Sequence, residues 1–438
     1  MKPLNREIVL RSYVENKEWL DRRNTEGIEK HRKGNFSLQF QTDTPKSLKI
    51  RHKKHSFLFG CTAFMLDSFE TPEKEPAFKR LFTNLFNQAV VPFYWSDLEP
   101  TEGAPRFAKD SPRIYRRPSP DLCLDFCREY GIEPKGHCLL WNHFLPQWFL
   151  DKDEAGRRRA IERRFAEIAE RYADKIPSFD IVNESASNYR RGKERIFEDY
   201  DKLGQRLGAK YFPNNRKILN ETNGAIWRSY PAQGKYMPFH MQLREFIRDG
   251  VPFDEIGLQY HIFHDKNESM ESKSICDAFL NARYMVEILD LYDSYGYPMH
   301  ISEITVPCYA GRLPENESIQ AELVEALYTT WFATRNMKSI VWWNLIDGYA
   351  AYAPLGSEEG ENRYAGGLCR FDLSKKPAYE VLDSLINKKW RTNIDCTCGG
   401  EFSFRGFYGE YEIEIEDARG KRTVTARLDR DGTVIMIE

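Results

Sequence analysis

No apolar run in this 438-residue chain approaches the length that crosses a bilayer, and its first residues never form an uninterrupted apolar leader. The expected address is cytoplasmic unless a leader was removed, and no membrane partner is indicated. An excess of charge is missing as well. Lys and Arg number 64 against 66 Asp and Glu, so the formal net charge of −2 offers a nucleic acid no basic surface. The nine cysteines show no zinc spacing: Cys123 and Cys127 share a helix face, and Cys396 and Cys398 a strand face. They read as reduced, buried thiols rather than metal ligands. No internal repeat or low-complexity tract appears.

What is present is an ordinary globular balance, 41% hydrophobic and 30% charged, with 14% aromatic residues. Aromatic rings fill cores, and their flat faces also stack on sugars. Residues 1–54 are polar and basic, with a helical start from Arg6 to Lys33 and an alternating stretch from Phe36; they read as an N-terminal extension. Residues 55–390 alternate strand and helix. Predicted strands are Phe57–Ala63, Gln88–Phe93, Glu133–Leu140, Ser178–Asn183, Lys217–Asn220, Glu255–His261, Pro298–Ser302 and Ser339–Asn344. Helices are expected at Pro120–Tyr130, Arg157–Tyr172, Met241–Arg248, Ser274–Tyr292, Ser318–Asn336 and Pro377–Lys388.

Eight strands alternating with helices suggest an α/β fold of the (β/α)8 TIM-barrel type. A doubly wound sheet gives a similar string, but no Gly-rich phosphate loop follows the first strand, and polar residues close several strands. Residues 391–438 change to period-two alternation, at 401–416, 422–428 and 433–438, and read as a small antiparallel β unit packed on the barrel. Half of its rings (Phe402, Phe404, Phe407, Tyr408 and Tyr411) are core on any alternating strand, so packing is expected over a sugar-binding face.

Two glutamates close short apolar runs: Glu184 after Ser-Phe-Asp-Ile-Val-Asn, and Glu303 after Pro-Met-His-Ile-Ser. Strand ends are where a barrel carries catalytic groups, and two carboxylates facing one site can cleave a glycosidic bond. Alone, Glu184 could be a solvated loop residue and Glu303 a structural salt bridge. Asn183 beside Glu184 can hydrogen-bond a sugar 2-hydroxyl. Gln259 and His261 share a strand face, from which His261 can bond Glu303, orienting it and helping keep it ionised. His137 lies on the third strand. A zinc site is the weaker reading, since these histidines come from distant strands. Trp343 is either barrel core or a platform under the sugar.

Several segments together resemble glycoside hydrolase family 10, the endo-β-1,4-xylanases: Gly136-His-Cys-Leu-Leu-Trp141, Asp180-Ile-Val-Asn-Glu184, Gly257-Leu-Gln-Tyr-His261, Ile301-Ser-Glu303 and Val341-Trp-Trp-Asn-Leu-Ile-Asp347. Trp95–Gly103 and Phe371–Tyr379 fit the same pattern, and the likeness covers roughly residues 56–388. The resemblance implies a retaining hydrolase of β-1,4-xylosidic bonds, with Glu184 as acid/base and Glu303 as nucleophile. Asn183 would hold the 2-hydroxyl; His137, Trp141, Gln259, His261 and Trp343 would shape the sugar site. No cofactor is implied, and the partner is a carbohydrate: xylan, a xylo-oligosaccharide or an aryl β-glycoside.

The chain also departs from that pattern. The family's polar Glu-Asn-x-x-Lys before the strand-two tryptophan, which holds the neighbouring sugar on the non-reducing side, is here Val90-Val91-Pro92-Phe93-Tyr94. Asn142 follows Trp141 where His is usual, Thr222 replaces an aromatic residue, and the loop from Gly348 to Gly367 is lengthened. Each lost hydrogen bond removes about 0.5–1.5 kcal/mol from polymer binding. An exo-acting enzyme on short or aryl glycosides is therefore the rival within the same chemistry, and an inactive sugar-binding barrel the rival from another class.

Overall fold

The computed structural model describes residues 4–263, 269–309 and 314–437. Two strands come first, β1 (Lys33–Phe40) and β2 (Lys46–His55). Eight parallel strands follow: β3 (Leu58–Thr62), β4 (Gln88–Pro92), β5 (Glu133–Trp141), β6 (Ser178–Asn183), β7 (Arg216–Glu221), β8 (Glu255–His261), β9 (Met299–Thr305) and β10 (Met337–Trp342). They close into a barrel in chain order, with β10 pairing back onto β3. Residues of β3, β4, β6, β8 and β9 are buried throughout. Strands covered on both faces carry no polar alternation, which is why they read as short continuous apolar runs.

The helices between them follow local chemistry. Asp153 caps Glu154–Tyr172 by accepting from the Gly156 amide at 2.7 Å. Gly131 ends Pro120–Tyr130 in the left-handed conformation, φ 63°. The single helix expected over Ser274–Tyr292 is two, Lys273–Phe279 and Ala282–Asp293. Asn281 breaks it, its side chain accepting from the Arg283 and Tyr284 amides and starting the second helix afresh. The expected N-terminal helix is likewise divided into Arg6–Val9, Arg11–Glu15 and Lys17–Arg32. Lys17–Arg32 packs on helix Pro314–Ala333, where Asn24 Nδ2 donates to Thr330 Oγ1 at 3.1 Å. A β-carbon at Gly27 would collide with the Ala333 carbonyl, so the close approach requires glycine.

The last strands are β11 (Asn393–Cys398), β12 (Glu401–Phe407), β13 (Gly409–Asp417), β14 (Gly420–Leu428) and β15 (Thr433–Ile437); Glu438, expected to end β15, lies outside the described residues. They pair with the N-terminal strands rather than only with one another. One sheet runs β12-β1-β15, with β1 parallel to β15, and the other runs β11-β2-β13-β14. Phe36, Leu38, Leu48, Ile50, Phe404, Tyr411, Ile413 and Leu428 form the core between the sheets. Phe402 and Tyr408 are partly buried against that core, and Phe407 joins the barrel core. Lys54 Nζ donates to the Gly131 carbonyl at 2.7 Å, just ahead of β5, so this sandwich sits at the N-terminal end of the barrel strands.

Candidate active site

The opposite end of the barrel collects the polar strand ends. Glu184 follows the last residue of β6 with a left-handed backbone, φ 54°, costing about 1–3 kcal/mol, which packing elsewhere must offset. Its amide donates to the Asn220 carbonyl at 2.9 Å. The carboxyl is half-buried and accepts from Gln259 Nε2 at 3.1 Å and Asn188 Nδ2 at 3.2 Å. Burial, then the charge of Glu303, pushes its pKa up to about 8, against smaller lowering contributions from Gln259, Trp141 and Asn183.

Glu303, on β9 and 4% exposed, is held from both sides. Asn220 Nδ2 donates to Oε1 at 3.0 Å and His261 Nε2 lies 3.0 Å from Oε2. Burial raises its pKa to about 7, opposed by the nearby His137 and Lys135. Burial also lowers the His261 pKa to about 4. The neutral imidazole then donates from Nε2 to Glu303 and accepts at Nδ1 from the Thr305 hydroxyl, 2.8 Å away. The expected bond between His261 and Glu303 is thus present. The imidazole acts as a neutral donor, because burial disfavours its cation.

A second chain runs below this one inside the barrel. His137 Nε2 is 3.9 Å from Glu303 Oε1, and its Nδ1 is 2.7 Å from Asp180 Oδ2. Asp180 also pairs with Lys135 Nζ at 3.0 Å, both residues being fully buried. Burial raises the Asp180 pKa, but Lys135 and His137 outweigh it and hold the carboxylate below its ordinary value. An isolated charge here would be prohibitive; the pair makes it tolerable. Lys135 and Asp180 escaped the sequence reading as functional residues, although a charge inside an otherwise apolar strand was the available signal.

Asn183 and Asn220 join the two carboxyls into one network. Asn183 Oδ1 accepts from Asn220 Nδ2 at 2.7 Å and from Gln259 Nε2 at 3.4 Å, while Asn220 Oδ1 accepts from Ser302 Oγ at 2.5 Å. Asn183 Nδ2 and Trp141 Nε1 are buried without a well-formed hydrogen bond, and both face Glu184. Buried donors in that state are the ones a bound hydroxyl satisfies. Trp343, 9% exposed, meets His137 edge-on at 5.3 Å and His261 at 5.8 Å. All eight residues singled out from sequence therefore surround one site. Among the described residues no three His, Cys, Asp or Glu side chains converge to hold a metal ion.

Glu221, which the sequence reading passed over, supports the loop after Glu184. Fully buried at the end of β7, it accepts from the Ala186 amide at 2.7 Å, the Ser187 hydroxyl at 2.6 Å, and the Ser187 and Thr222 amides at 3.3 and 3.0 Å. Burial pushes its pKa up to about 8, partly countered by these donors, with Glu184 adding to the rise.

Comparison with known proteins bears on the family and the fold. A family model described as Glycosyl hydrolase family 10 matches residues 52–384. The chain is 24% identical over 422 residues to Endo-1,4-beta-xylanase 2 of Arabidopsis thaliana, covering 92% of this chain and 34% of that protein. It is 25% identical to Anti-sigma-I factor RsgI6 of Acetivibrio thermocellus, covering 94% and 49%. This chain thus spans a third to a half of the length of these relatives. Among solved structures, TsXylA, an intracellular xylanase from Thermoanaerobacterium saccharolyticum complexed with xylotetraose, superimposes with a TM-score of 0.56 at 17% identity, covering 74% of this chain and 95% of that one. Xylanase B from Clostridium stercorarium gives 0.56 at 17% identity, covering 74% and 96%. No helix among the described residues is long and apolar enough to cross a membrane. Barrel, family match and relatives lead to one statement: the chain belongs to glycosyl hydrolase family 10.

Proposed function

We propose that this chain is a retaining β-glycosidase that hydrolyses β-1,4-xylosidic bonds by double displacement, with Glu303 as nucleophile and Glu184 as acid/base. The observation that carries this reading is the joining of the two carboxyls through Gln259, Asn183 and Asn220. Family membership and the xylanase names of its relatives support the substrate class.

In the first step a Glu303 oxygen forms a bond to the anomeric carbon as the bond to the leaving oxygen breaks. That oxygen takes the proton of Glu184, whose raised pKa keeps the proton available. Esterification removes the charge of Glu303, so the pKa of Glu184 falls and it can deprotonate an incoming water. Water attack then releases the sugar and restores both carboxyls. Asn183 Nδ2 would donate to the 2-hydroxyl, Trp343 would lie against the sugar face, and Trp141 would help shape the pocket around that sugar. His137, Gln259 and His261 hold the acids in place. This chemistry requires no cofactor.

In this reading residues 55–390 carry catalysis, while 1–54 and 391–438 support it from the far end of the barrel through their shared sheets. The nine unpaired cysteines favour a reducing compartment. The decisive experiment follows the anomeric configuration of the first product from a xylo-oligosaccharide by proton NMR. Initial β-anomer is expected. Initial α-anomer would refute retention, and no turnover of any β-xyloside would refute the assignment.

A further inference from the structure

Rings from one side of the barrel stand against each other next to the carboxyls. Phe64 meets Trp343 edge-on at 5.4 Å and Tyr94 at 5.8 Å. Tyr94 packs on Phe144 at 4.6 Å and on Trp141 at 5.9 Å, and Phe144 lies 5.2 Å from Trp141. Tyr352, 79% exposed, stacks on Phe144 at 6.1 Å and closes the outer end. At these spacings the rings touch, and no pyranose fits between them. Phe64 is 1% exposed and Tyr94 5%, so neither offers a free face for stacking.

The two arginines behind the rings spend most of their donors on the protein, with Arg116 Nε buried and unbonded. The Arg117 guanidinium lies 4.2 Å from the Tyr94 ring, donates from Nε to Asp97 Oδ2 at 2.8 Å and from Nη1 to the Arg116 carbonyl at 3.0 Å. Arg116 donates to Asn344 Oδ1 at 2.7 Å and to the Tyr349 carbonyl. A second sugar on this side would meet mostly ring hydrocarbon, with the Tyr94 hydroxyl, close to Glu303, as the polar group of the wall.

The wall belongs to β3, β4, β5 and β10 and the loops that follow them, whereas Glu184 and its loop belong to β6, braced by β7 and β8. A proton donor must stand on the leaving-group side of the anomeric carbon. The non-leaving part of the substrate therefore extends away from Glu184, over Trp343 and into the ring wall. The geometry points to a pocket that takes one sugar ring on that side, so that the enzyme removes single terminal residues from short oligosaccharides or aryl glycosides instead of cutting within a polymer. Tyr94 and Phe144 are the specificity-determining residues. This inference rests on the proposed retaining chemistry.

The test compares 4-nitrophenyl β-xyloside with 4-nitrophenyl β-xylobioside on the full chain, and follows the first product from reducing-end-labelled xylotetraose. The expected result is a kcat/KM at least about tenfold higher for the monosaccharide substrate, with xylose appearing first. Faster cleavage of the bioside, or xylobiose as first product, would overturn the closed pocket and leave the retaining chemistry standing. No turnover of either would remove that chemistry and this inference together. In a folded Tyr94→Ala/Phe144→Ala variant the preference should move toward the bioside. An unchanged ratio would take the specificity away from the wall.

Discussion

His261 grips Glu303 from one ring nitrogen, 3.0 Å from Oε2, while Thr305 holds its other nitrogen at 2.8 Å. The imidazole is thereby fixed in the tautomer that donates to the carboxylate, and Asn220 fixes the other oxygen. A carboxylate held at both oxygens, if it attacks as proposed, loses little freedom on reaching the transition state.

Glu303→Ala should lower kcat by about 10,000-fold or more, because no covalent intermediate can form. The fold should persist, since the change removes a costly buried carboxyl. Steady-state kinetics beside circular dichroism and Tm checks both. Near-normal turnover would exclude Glu303 as nucleophile.

Glu184→Ala should separate substrates by leaving group. General acid catalysis contributes about 100- to 10,000-fold where the departing oxygen needs a proton, and little where a nitrophenolate leaves unaided. The readout is kcat/KM, which reports the bond-breaking step. Equal losses across a leaving-group series would remove Glu184 from the acid role.

The pH profile should be a narrow bell. In the proposed mechanism activity needs Glu303 ionised and Glu184 protonated, and their pKa values are raised to about 7 and about 8. As coupled groups they yield limbs belonging to the pair. Stability should move the other way from the usual carboxylate case. Glu184, Glu221 and Glu303 bind protons more tightly folded than unfolded, so stability falls as pH rises from the ordinary carboxyl range near 4.5 through about 8. Tm measured from pH 5 to 9 should decline across that window, and Glu184→Gln should flatten the decline. A Tm that rises through it would contradict the sign.

Glu221→Gln should shift the alkaline limb to lower pH, because the variant no longer adds a negative charge beside Glu184. Glu221→Ala should also cost about 1–3 kcal/mol of stability, leaving the Ala186, Ser187 and Thr222 amides unsatisfied. An unaltered limb in the glutamine variant would reduce Glu221 to a loop support.

Asp180→Asn should destabilise the fold by about 3–5 kcal/mol, since it breaks a buried ion pair and leaves Lys135 without its partner. Lys135→Met combined with Asp180→Asn should recover much of that loss. Denaturant titrations of both variants settle the coupling, and a double variant no more stable than Asp180→Asn alone would deny it.

Much of the barrel was legible because parallel strands buried on both faces leave compact β-rich runs, and because Glu184 follows one of them and Glu303 interrupts another, β9 running on to Thr305 beyond its expected end at Ser302. Strand β2 was not recognised, although Leu48, Ile50 and His52 point inward while Lys49, Arg51 and Lys53 point out. Its many basic residues hid the alternation. The pairing of β1 and β2 with strands at the other end of the chain depends on register between distant segments, which local patterning does not encode. Lys135 and Asp180 find each other only when β5 lies beside β6, and Asn220 becomes a bridge only once the barrel closes. The break at Asn281 hinges on a cap competing with a continuous helix.

The shared terminal sheets also impose a schedule on synthesis. Strands β1 and β2 leave the ribosome before the barrel, yet β1 waits for β12 and β15, and β2 for β11 and β13. Until then Leu38, Leu48 and Ile50 have no partner sheet and remain available for wrong pairings. The barrel can assemble while its own clasp stands open, and strands made after the barrel are the ones that shut it.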